Sequence, residues 1–137
     1  MIDAQYLKEM RNMTRNVKGE AVKLRQMKEE LFCIGSVGFG HHIQRTKSSD
    51  PMGNRIAAYV DYENEYHKYV IEYIEKYKCL NEVIRDLDIM NQMFIINYCF
   101  FGMDYSEIAE NMGVSEQTVY RIRIDTLKEL ERIDSNE

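Results

Sequence analysis

Residues with metal-binding, phosphate-binding or acid–base chemistry are present in the chain, but their spacing builds no reactive site. His41-His42 follows Cys33 at a distance of eight residues. These are too few ligands, at a spacing that fits no standard metal site, so the expected reading is a polar loop without metal. Arg45, Lys47 and Arg55 lie in or beside the same stretch and could touch phosphate. The run Gly35-Ser-Val-Gly-Phe-Gly40 lacks the lysine that follows a phosphate-cradling loop, and it does not sit between a strand and a helix. Asp61, Glu63, Glu65, Glu72 and Glu75 read as one solvated helix face, because paired catalytic acids need a pocket. No Ser/His/Asp arrangement is legible. The expectation is a non-enzyme with no catalytic residue, no metal and no cofactor.

A different constellation carries a mechanism. In 105-YSEIAENMGVSEQTVYRIRIDTLKEL-130, Gly113 follows a short helical pattern and can take the left-handed conformation that ends a helix. Ser115 is suited to cap the next helix through its hydroxyl, with Thr118 completing that start. Ile108, Ala109, Met112, Val114, Val119, Ile122 and Leu127 fall where two crossing helices must touch. Ala109 is small enough for close approach. Such a set matches a helix-turn-helix, whose second helix can enter a DNA groove.

Long helices must position this unit. The chain has 137 residues, 45% apolar and 30% charged, with one proline, Pro51. From Ala4 to about Ile34, Leu7, Met10, Met13, Val17, Ala21, Leu24, Met27, Leu31 and Ile34 recur at helical steps, with a weak point at Gly19. From about Arg55 to Leu87, Tyr59, Tyr62, Tyr66, Val70, Tyr73, Tyr77, Leu80, Ile84 and Leu87 do the same. Ile56, Val60, His67, Ile71 and Ile74 are expected to widen that stripe. A glycine-rich loop over 35–54 separates the two. The predicted architecture is all-α: a long antiparallel helical hairpin over 1–88, then a small helix-turn-helix domain over 89–137. Helices are predicted from Ile89 to Phe101, from Tyr105 to Met112 and from Ser115 to Leu130, with a frayed tail after Glu131. So thin a hairpin predicts self-association.

Charge and hydropathy narrow the class. The net charge is −5, and residues 91–137 alone hold four Lys/Arg against nine Asp/Glu. That balance argues against a general electrostatic DNA coat. Three cysteines with no C-x-x-C pair make a poor disulfide framework. No apolar run approaches the ~18–20 residues that span a bilayer, and the start MIDAQYLKEMRNM is charged where a signal peptide is apolar. A cytoplasmic protein with no membrane partner is expected.

The stretch 100-FFGMDYSEIAENMGVSEQTVYRIRIDTLKEL-130 resembles region 4 of bacterial sigma factors over about Asn91 to Leu130. The pattern is an aromatic-glycine step, Y-x-E-I-A, the turn G-V-S, then T-V and a closing L-x-x-L. Over its whole length the chain resembles phage and prophage late-gene transcription regulators of the RinA/ArpU type. The resemblance implies a DNA-binding transcription regulator that places the helix 115–130 in the major groove. Glu116, Gln117, Tyr120 and Arg121 would then face bases, Gln117 suiting adenine and Arg121 guanine. Ser115, Thr118 and Arg123 would contact phosphate or flanks, and Tyr105 and Ser106 would open the supporting helix near a phosphate. Double-stranded promoter or operator DNA is the implied partner, with RNA polymerase a second one and a homo-oligomer the assembly. Two departures stand out: Thr126 replaces the usual alanine, and Glu116 and Asp125 lie on or near the face. The alternative is a helical protein–protein adaptor that does not bind DNA.

Overall fold

The computed structural model describes residues 2–37 and 50–136. Its helices are α1 (Ala4–Val37), α2 (Pro51–Ile84), α3 (Ile89–Ile95) widening into a π-helical turn over Ile96–Phe100, α4 (Tyr105–Met112) and α5 (Glu116–Ser135). The fold is all-α, with no strand among the described residues. Gly19 does not interrupt α1. His41, His42, Arg45 and Lys47, with most of the glycine-rich stretch over 35–54 and the side chain of Cys33, lie outside the described residues.

Several boundaries differ from the sequence reading. The second helix begins at Pro51, not near Arg55. Asp50 accepts from the Gly53 N–H at 3.1 Å, and proline is preorganised for the first helical position, so this proline opens the helix. The same helix ends at Ile84, because Asp86 and Leu87 bond three residues back to Val83 and Ile84 and Asp88 is extended. The last helix continues past Glu131 to Ser135, with Ile133 packed against the core and Ser135 bonded to the Glu131 carbonyl.

The chain divides into two compact units, Met1–Asn16 with Glu72–Glu137, and Val17–Ile71. The first unit holds the core. Leu7 and Met10 of α1, Leu80 and Ile84 of α2, Phe94, Ile95 and Cys99, Ile108 and Ala109 of α4, and Val119, Ile122 and Leu130 of α5 are buried together. Fully burying side chains of this size contributes about 1.5–3 kcal/mol each, so this cluster dominates the stability of the unit. Here α1 and α2 run antiparallel: Tyr6 donates to the Lys76 carbonyl at 2.8 Å, Lys76 pairs with Glu9 at 3.1 Å, and the Thr14 and Tyr73 hydroxyls meet at 3.0 Å.

The last carbonyls of a helix and those just beyond it need donors from elsewhere. Thr14 donates to the Cys99 carbonyl at 2.6 Å, Arg15 Nε to Gly102 at 2.8 Å and Arg11 Nε to Met103 at 3.1 Å. The start of α1 thus caps the segment that leads into α4. Gly102, at φ 67°, makes the reversal, and a Cβ there would come within 3.1 Å of Arg15 Cγ.

The second unit is built differently. Val17, Leu24 and Met27 of α1 and Tyr59, Tyr62, Tyr66 and Tyr69 of α2 are only half-buried. Lys23 lies over the Tyr62 ring at 4.8 Å from its centroid. Ile56, Val60, His67 and Ile71 of this unit, and Ile74 beyond it, do not widen the covered stripe; all are exposed. Helical spacing finds an apolar face but does not say whether anything covers it.

Candidate nucleic-acid interface

The α4–turn–α5 segment is fixed by local chemistry at each end. Asp104 accepts from the Glu107 N–H at 2.9 Å, and Glu107 reaches back to the Asp104 N–H, a reciprocal capping box legible as D-x-x-E. Gly113 ends α4 at φ 70°, in the left-handed region. The Ser115 hydroxyl accepts from the Thr118 N–H at 3.2 Å and contacts the Thr118 hydroxyl at 2.9 Å. Of the inward positions, Ile108, Ala109, Val119 and Ile122 are buried, and Met112, Val114 and Leu127 pack half-buried against them.

With that face turned in, the outer face of α5 is set. Gln117, Arg121, Ile124 and Lys128 are exposed and spaced four, three and four residues apart, which makes one ridge. Tyr120 flanks it, 49% exposed. Its ring leans on Tyr105 at 4.5 Å, Tyr105 stacks on Tyr98 at 5.9 Å, Tyr98 stacks on Phe94 at 5.3 Å, and Arg11 caps Tyr98 at 5.1 Å. An exposed tyrosine is therefore braced by an aromatic ladder that ends in the core. Burial raises the pKa of the Tyr105 hydroxyl, with Arg123 opposing that shift, so this group stays a neutral donor at physiological pH.

The remaining marked residues separate by role. Ser106 and Glu116 are exposed. Ser115 and Thr118 are engaged in starting α5. Arg123 is half-buried beside Tyr105. The N-terminus of α4, where Tyr105 and Ser106 stand, holds the Asp104 and Glu107 carboxylates, and a phosphate would meet both. Arg121, Arg123 and Lys128 make no ion pair among the described residues. Ile124 and Lys128 fall outside the residues marked from the sequence; continuing the spacing from Gln117 and Arg121 finds them.

Asp125 and Glu129 are drawn off the ridge. The buried Asn91 side chain donates to Asp125 at 3.1 Å and to Glu129, and Glu129 also accepts from the Asp88 N–H at 3.1 Å, at the start of α3. Thr126, fully buried, bonds the Asn91 oxygen at 2.9 Å. Asp125, next to Ile124, is thereby tied to α3, and threonine at 126 has a partner that alanine would lack.

An exposed helix with a bidentate-capable amide, a guanidinium, an ammonium and two apolar side chains can hydrogen-bond base edges, attract phosphate and contact a thymine methyl. No helix among the described residues is long and apolar enough to cross a membrane. Comparison with protein-family models, with curated proteins and with solved structures finds no match.

Proposed function

We propose that the chain is a DNA-binding transcription regulator, of phage or prophage type, that reads double-stranded promoter or operator DNA with α5. The observation that carries this reading is the outer ridge of α5, where Arg121 and Lys128 stand exposed, with no ion pair among the described residues, beside Gln117 on a helix whose opposite face is locked into a core. Burying or pairing these cations would have argued against it. The protein acts in the cytoplasm, without catalysis or cofactor.

Charge sets the mode of action. Residues 91–137 carry four Lys/Arg against nine Asp/Glu, so one copy binds DNA weakly. Two linked copies gain affinity by effective concentration, roughly 10²–10⁴-fold where geometry lets both engage. Self-association therefore belongs to the mechanism, and the acidic faces turned from DNA suit contact with RNA polymerase. Titration of labelled upstream DNA tests the reading: binding should weaken as salt rises and fall further in Arg121→Ala/Arg123→Ala. No binding at low salt would reject it.

The exposure of Tyr120 and Ile124 favours a second reading, in which the same ridge is an adaptor surface for protein. Under that reading Ile124→Ala abolishes partner capture while DNA has no effect.

A further inference from the structure

Between Val17 and Ile71 no described side chain is fully buried. Two helices that bury so little do not hold together on propensity alone, so this unit needs a covering surface. Its α2 segment presents one. Val60 and Ile71 are 46% and 58% exposed, and Ile56 extends the apolar row by a further turn. At 100° per residue, Val60, Asn64, His67 and Ile71 form a row roughly 160° around the helix from Tyr62, Tyr66 and Tyr69. This is a second face, not the edge of the first.

The row is self-complementary. Its spacing is four, three, four, and its order is apolar, polar, polar, apolar in either direction. We propose that α2 packs antiparallel on α2 of a second copy, about a two-fold axis passing between Glu65 and Tyr66. Val60 then meets the partner's Ile71, Asn64 meets the partner's His67, and each contact occurs twice. In antiparallel packing, residues on the same flank face each other. On one flank these are Asp61 and the partner's Lys68, of opposite charge. Both are exposed, and neither is ion-paired among the described residues. On the other flank Glu63 stands close enough to Tyr59 to raise the pKa of its hydroxyl. Charge and spacing select a second copy of this chain over an unrelated helix.

This seam gives residues to the self-association proposed above and rests on it, but not on the reading of DNA. Sedimentation equilibrium of the full chain, without DNA, tests it. The wild type dimerises with rising concentration. Asp61→Lys and Lys68→Asp each set like charges face to face twice and raise the dimer dissociation constant roughly tenfold or more; the double variant returns to within about threefold of wild type. All these side chains are exposed, so the fold is not at stake. In a Cys33→Ser/Cys79→Ser background, mixing Asn64→Cys and His67→Cys chains gives a disulfide-linked dimer that neither gives alone. A chain monomeric at all concentrations overturns both the seam and the self-association. A dimer indifferent to charge reversal, or cross-linked equally by either cysteine variant alone, overturns the seam and leaves self-association through another face or a parallel register.

Discussion

The Thr126 hydroxyl lies 2.9 Å from the Asn91 side-chain oxygen, joining α5 to α3 inside the core. The orientation of Asn91 follows from its other partners. Asp125 and Glu129 only accept, so the amide nitrogen faces them and the oxygen must face Thr126. The same hydroxyl lies 2.7 Å from the Ile122 carbonyl, so Thr126→Val removes a donor that two buried oxygens share. The expected loss is about 1–2 kcal/mol, read from urea unfolding. Asn91→Leu costs more, because it also releases two carboxylates, and the double variant costs less than the two losses added.

At Gly113 the cost is conformational alone. Its φ is 70° and a Cβ would meet nothing within 4 Å. Gly113→Ala should destabilise by about 1–2 kcal/mol from left-handed strain, and Gly113→Asn by less, since asparagine tolerates that region. Thermal unfolding of the two variants checks the order.

Those two positions mark what the sequence made legible and what it did not. Gly113, Ser115 and the inward residues Ile108, Ala109, Val119 and Ile122 follow from short-range rules: a left-handed stop, a hydroxyl cap and a period of 3.6. The π turn over Ile96–Phe100 does not, because Thr14 takes its Cys99 carbonyl while Arg15 and Arg11 take those of Gly102 and Met103 just beyond it, from 85 to 92 residues away in sequence. The Asn91 bridge is hidden likewise, since nothing local to residue 91 announces Thr126 or Glu129. Ile56, Val60 and Ile71 are apolar at helical spacing, yet among the described residues nothing covers them.

Alkaline pH gives a third prediction. Burial, with smaller contributions from Cys79 and Cys99, pushes the Tyr6 hydroxyl up to about 12, where its ordinary value is 10.0, and it donates to the Lys76 carbonyl. The folded state binds this proton more tightly than the unfolded state. Its contribution is therefore complete below pH 10 and is lost as pH rises from about 10 to 12. Unfolding free energy measured across that window should fall less steeply in Tyr6→Phe than in wild type.

The described cysteines should differ in reactivity. Cys79 is exposed, whereas Cys99 is buried in the core and burial raises its thiol pKa. In a Cys33→Ser background, a thiol reagent should modify Cys79 quickly in the native protein and Cys99 only on unfolding. Mass spectrometry of the modified chain reads both.

We propose above all that the outer ridge of α5 reads DNA sequence. Selection of bound fragments from the source genome, run in parallel with wild type and Gln117→Ala/Arg121→Ala, tests it most directly. Wild type should enrich a shared motif upstream of genes, and the double variant should lose that enrichment while keeping its fold by circular dichroism. Fragments recovered without a common motif, or the same motif recovered by both proteins, would contradict it.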